Sequence, residues 1–176
     1  MRKLLAVAAL GLLGLASIPT DADAAGDKAP DFTLRDMNNQ EVKLADQAGN
    51  VVLINFWATW CVPCMVEMPY IEELYQTHKD DGFVVLAISA DDARSASRVK
   101  PLVKSKKWSF PVLLDKQTTV VAQYNPSKTL PFTQLLDEEL NVIWTHQGYT
   151  AGDEVEMKEK VEEAMAAKKA RAEAAP

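Results

Sequence analysis

The chain has 176 residues, nearly half of them apolar, and a formal net charge of −6. That length suits one domain with a full core and leaves no room for two comfortable ones. The acidic balance argues against a nucleic-acid or anionic-membrane surface: phosphate binding needs clustered Lys and Arg, and the Lys-rich runs Lys104–Lys107 and Lys168–Arg171 are short or terminal.

Arg2 and Lys3 precede an apolar run, Leu4 to Ile18, and a small-residue site at Ala22-Asp23-Ala24. This is the order of a secretory signal peptide, with cleavage expected after Ala24, so residues 1–24 stand outside the fold. The 15-residue run is shorter than the roughly 20 residues of a spanning helix, and an uncleaved membrane anchor is the alternative. No cysteine follows the run, which excludes a lipoprotein anchor. The chain is therefore expected to be exported.

Residues 25–167 read as one domain. "APDFTLRDMNNQEVKL" suggests two short strands around Phe32–Leu34 and Val42–Leu44, a hairpin extension at the N-terminus. "VVLINFWA" is a continuous apolar run suited to a strand buried on both faces. The stretch after it opens a helix, with Met65, Met68, Ile71, Glu72 and Tyr75 at helical spacings and Gly82 as its stop. "FVVLAISA" is a second buried strand. "DDARSASRVKPLVKSKKW" reads as a helix behind an acidic cap, bent near Pro101. "FPVLLD" follows as a strand and "TTVVAQY" as a short helix. "PFTQLLD" and "NVIWTHQG" form a hairpin about the polar turn Asp137–Asn141. A last amphipathic helix, about Gly152 to Ala167, leads into residues 168–176, expected as a flexible tail. Strands alternating with helices, then a closing hairpin, predict an α/β fold with a central mixed sheet flanked by helices.

The chain's two cysteines, Cys61 and Cys64, stand where the first buried strand meets the next helix, the edge at which chemistry gathers in open α/β sheets. A bridge between them closes too short a loop to be an effective staple. Structural zinc needs about four ligands; His78 is suitably spaced, but Gly82, Phe83 and Val84 occupy the place of a second histidine, and His146 lies far along the chain. His78 reads as a polar residue near a helix end, and His146 as a strand-face residue without a role. Covalent haem fails because Met65, not histidine, follows Cys64. A redox pair fits better. Unpaired N–H groups and the helix dipole stabilise a thiolate at Cys61, Cys64 lies one turn on, and Pro63 suits the first turn. One sulfur is expected outward and attacking, the other inward and resolving.

The stretch "NFWATWCVPCMVEMP" resembles the active site of exported, thioredoxin-fold thiol–disulfide oxidoreductases of the TlpA/ResA-like group, which includes cytochrome c maturation reductants. The similarity runs from "APDFTL" to the last helix. It implies a thioredoxin-like fold, with Cys61 as nucleophile, Cys64 as resolving thiol, and Glu67 as an acid moving protons to and from Cys64. The bland reading of Glu67 is an acid near a helix start, held by the dipole. Pro69 matches a kink in the active-site helix, and Asn55 stands where cytosolic thioredoxins carry a buried aspartate. "TLPFTQLL" resembles the segment bearing a cis-proline opposite the cysteines. Client contacts are accordingly expected at Trp60, Val62, Pro63, Leu130 and Pro131, with the Leu130 backbone pairing with an extended strand. Trp57, Met65 and Met68 read as packing residues. Phe132, Gln134 and the turn Glu138-Glu139-Leu140-Asn141 depart from the group's pattern, which bears on partner choice.

The resemblance implies thiol–disulfide exchange with protein clients such as apocytochrome c, no metal or organic cofactor beyond the Cys61–Cys64 couple, and re-reduction by a DsbD/CcdA-type membrane thiol reductase in the periplasm or another exported compartment. The dipeptide Val62-Pro63 carries no cation to stabilise the Cys61 thiolate, which favours a reductant. Two rivals remain at this stage. A peroxiredoxin-like peroxidase wants P-x-x-x-T-x-x-C, which neither cysteine satisfies. A Cu(I) carrier would use Cys61, Cys64 and a methionine, since soft thiolates suit Cu(I).

Overall fold

The computed structural model describes residues 26–174. The expected signal segment lies outside them. Seven strands form a single mixed sheet, in the order β2-β1-β5-β4-β3-β6-β7. These are β1 (Thr33–Asp36), β2 (Glu41–Lys43), β3 (Val51–Trp57), β4 (Phe83–Ser89), β5 (Val112–Leu114), β6 (Phe132–Leu136) and β7 (Val142–Gln147). Strands β3, β4 and β5 run parallel, while β6 pairs antiparallel with β3, and β7 with β6. The N-terminal hairpin joins the same sheet, because β1 pairs antiparallel with β5.

Every residue of β3 is buried, as a doubly covered strand of apolar residues requires. Its alternate residues feed two cores. Val51, Leu53 and Trp57 face α1 (Val62–His78), α2 (Val99–Lys106) and α4 (Asp153–Ala174), packing with Met68, Ile71, Val103, Met157 and Val161. Val52, Ile54 and Phe56 face the other way, toward α3 (Thr119–Tyr124) and the N-terminal segment, packing with Phe32, Leu44 and Tyr124. Helix α1 ends at His78, and a short 3-10 turn then leads to Gly82, whose φ of 83° is a left-handed conformation that suits glycine.

Two expectations about helices are corrected. Residues 91–95 are not helical: a 3-10 turn, Ala96–Arg98, precedes α2, which starts at Val99. Pro101 thus falls in the first helical turn, where its missing N–H breaks no helical bond and no bend need follow. The second correction concerns the tail, because α4 continues to Ala174. Lys168 Nζ donates to the carbonyls of Gly49 (2.9 Å) and Gly82 (3.2 Å), and Arg171 pairs with Glu138. Charge-assisted bonds of this kind are worth about 1.5–3 kcal/mol each. Lys168→Met is therefore expected to lower unfolding stability by about 2 kcal/mol, read from urea midpoints at an unchanged denaturant slope.

Candidate active site

Strand β3 delivers the chain to its C-terminal edge at Trp57, which is buried edge-on against Trp108 (ring centroids 5.4 Å apart). The chain then turns: the Cys61 N–H donates to the Ala58 carbonyl (3.1 Å). Cys61 is the N-cap of α1, in extended conformation (φ −84°, ψ 102°), and its Sγ accepts from the Cys64 N–H (3.2 Å). Pro63 lies in the first turn, as its missing donor permits. Cys61 and Cys64 form a disulfide, with Cα atoms 5.3 Å apart. Cys61 is 4% exposed and Cys64 fully buried, so the expected outward sulfur lies only at the rim. Trp60 is 61% exposed and, with Val62 (75%), stands as apolar surface beside the disulfide.

A buried acid that sequence reasoning missed pins this turn. The Asp91 carboxylate accepts from the Thr59 N–H (2.8 Å), the Thr59 hydroxyl (2.6 Å) and the Ser89 hydroxyl (2.9 Å). In the sequence, Asp91 reads as half of an acidic helix cap. Its distance from Thr59 along the chain hides the contact.

Glu67 follows Cys64 by three residues on α1, and points into the interior. Asn55 Nδ2 donates to one of its oxygens (2.9 Å) and Thr133 Oγ1 to the other (3.3 Å), while Asn55 also donates to Thr133 Oγ1 (2.9 Å). Asn55 and Thr133 are direct cross-strand partners on β3 and β6. Burial pushes the Glu67 carboxyl up to about 7, against the lowering effect of these two hydrogen bonds. The dipole reading of Glu67 fails, since it is beyond the first turn and buried among side chains. Asn55 was singled out by resemblance; Thr133 was not.

The Leu130–Pro131 peptide bond is cis. Because Phe132 pairs with Phe56, Pro131 comes to the same sheet edge as Trp57 and the cysteine turn. Met68 is core and Met65 partly buried; His78 packs edge-on against Phe83. Among the described residues, no three His, Cys, Asp or Glu side chains converge to hold a metal ion.

The Redoxin family profile matches residues 24–164. The chain belongs to the redoxin family. Among curated relatives, this redoxin is 39% identical to "Thiol-disulfide oxidoreductase ResA" of a Bacillus cereus strain over 118 residues, 67% of this chain and 66% of the relative. It is 36% identical to the ResA of Geobacillus kaustophilus, over 77% of this chain and 76% of that one. Among solved structures it is similar, with a TM-score of 0.73 and 28% identity, to a protein provisionally named thiol:disulfide interchange protein DsbE from Chlorobium tepidum, covering 80% of this chain and 97% of the other. The redoxin is thus a thioredoxin-fold thiol–disulfide oxidoreductase, and its Cys61–Cys64 pair is the one couple in the chain able to exchange.

Proposed function

We propose that this redoxin reduces disulfides in exported proteins, apocytochrome c or a comparable client, with Cys61 as nucleophile, Cys64 as resolving thiol and Glu67 as proton carrier. The observation that carries the reading is a disulfide at the N-cap of α1, three residues before a buried acid whose carboxyl is raised to about 7.

In the dithiol form Cys61 releases its proton to solvent and its thiolate attacks a client disulfide; one client sulfur leaves as a thiolate that takes a proton from solvent, and a mixed disulfide remains. Glu67 accepts the Cys64 proton, and the Cys64 sulfur attacks Cys61, expelling the second client sulfur. Two electrons and two protons pass to the client, and the Cys61–Cys64 disulfide is left. Trp60, Val62 and Pro63 supply apolar contact, and Leu130 with Pro131 lies alongside the client strand. No metal or organic cofactor takes part. A DsbD/CcdA-type membrane thiol reductase returns the pair to the dithiol. The periplasm or another exported compartment suits this cycle, and the start of the sequence carries the signal-like pattern that would take the chain there. Among the described residues no helix is long and apolar enough to cross a membrane.

The direction rests on Val62-Pro63, which places no cation beside Cys61. Equilibration with glutathione is expected to give a potential toward the reducing end of the roughly −270 to −120 mV spanned by thioredoxin-fold proteins. A value near the upper bound would make the protein an oxidant.

A further inference from the structure

His146, without a role in the sequence, lies in register with the proton carrier's own partners. Asn55 on β3 pairs with Thr133 on β6, and Thr133 pairs with His146 on β7. Directly paired residues share a sheet face, so the three form one polar row beneath α1 and α4. Glu67 of α1 binds the first two members. Asp153, the first residue of α4, binds the third, with His146 Nε2 and Asp153 Oδ2 3.1 Å apart. The row runs from complete burial at Asn55 and Thr133 to partial exposure at His146.

We propose that His146 and Asp153 are positioning residues that act through Glu67, their paired charges setting how firmly it holds its proton. The proposal deepens the reading of Glu67 as proton carrier and rests on it. With His146 neutral, Asp153 presents an uncancelled negative charge toward the buried carboxyl and favours its protonated form. With His146 protonated, the pair is neutral and Glu67 releases its proton more readily.

The charges facing this cluster can be named element by element. On α1 they are Glu67 and, in the reduced protein, Cys64; Tyr70 stacks on Tyr149. Strands β3 and β6 contribute only the neutral Asn55 and Thr133. On β7, His146 stacks on Trp144, whose indole donates to Glu156. On α4, Glu154 is taken up by the Tyr149 hydroxyl and the Gly152 N–H. Asp153 also accepts the Thr150 N–H (2.7 Å), which with His146 holds its carboxyl below the usual range. Its field adds to burial in raising Glu67.

The test follows the Glu67 side-chain carboxyl by carbon-13 NMR across a pH titration of the oxidised full chain, its resonance assigned by its loss in Glu67→Gln. Asp153→Asn keeps an acceptor for Thr150 but removes the charge, and His146→Lys sets a permanent cation opposite Asp153. Both are expected to lower the Glu67 midpoint by about half a pH unit, the size of one charge acting through partly hydrated protein. Asp153→Glu restores the wild-type midpoint. An unchanged midpoint in either of the first two variants overturns the proposal. Failure of the underlying reading is distinguishable, since Glu67→Gln would then leave the pH profile of thiol exchange unaltered while the NMR midpoints still moved.

Discussion

Cys61→Ser abolishes reduction of a disulfide substrate such as insulin, and Cys64→Ser halts the cycle after one half-reaction, with the client still bonded to Cys61. Both outcomes follow from position. Cys61 caps α1, where free N–H groups and the dipole stabilise a thiolate, and its sulfur reaches the rim; Cys64 is sealed behind it. A serine hydroxyl at position 61 stays protonated and cannot displace a thiol, so turnover should fall at least about a thousand-fold. Serine at position 64 leaves attack possible but removes the sulfur that would release the client. Expression of Cys64→Ser in the exporting compartment, followed by non-reducing gels, reads the trapped adduct directly. Adducts on Cys64 in Cys61→Ser, and none on Cys61, would reverse the two roles.

Between about pH 4.5 and pH 7 the oxidised protein loses stability as pH rises, and Glu67→Gln flattens that slope. The folded state holds a proton on Glu67 up to about 7, whereas the unfolded chain releases it near the ordinary 4.5. In that interval the folded state binds more protons, so unfolding becomes easier with each step upward. The advantage is complete below 4.5 and gone above 7. A difference of this size corresponds to about 3 kcal/mol, against a total stability of about 5–15 kcal/mol for a domain. Glutamine retains an acceptor for Asn55 and carries no charge to bury, so the variant should exceed the wild type in urea midpoint at pH 8 and not at pH 4. Equal wild-type midpoints at both pH values would show that Glu67 ionises in its ordinary range.

The elements that could be read in advance are those whose signals are local. A seven-residue run, apolar but for Asn55, marks β3, Pro63 behind Cys61 marks the start of α1, and the segment around Pro131 marks the strand facing the cysteines. Contacts set by distant register were not legible. Thr133 meets Glu67 because β6 pairs with β3 across 78 residues of sequence, and no local pattern reveals that spacing. Asp91 and Asp92 look like one acidic cap, yet the first turns inward to Thr59 while the second closes a turn with Ser95. Helix α4 outran its apolar pattern because its last turns are held by polar bonds to other parts of the chain.

Those last bonds reach further than they first suggest. At 22 residues, α4 is a rod about 33 Å long. One end carries Asp153, paired with His146 on β7, and near the other Lys168 fastens the helix to the carbonyls of Gly49 and Gly82, which precede β3 and β4. A rod held at its foot has its tip at a set height. Truncation ahead of Lys168 would therefore release the foot of the helix whose first residue pairs with His146.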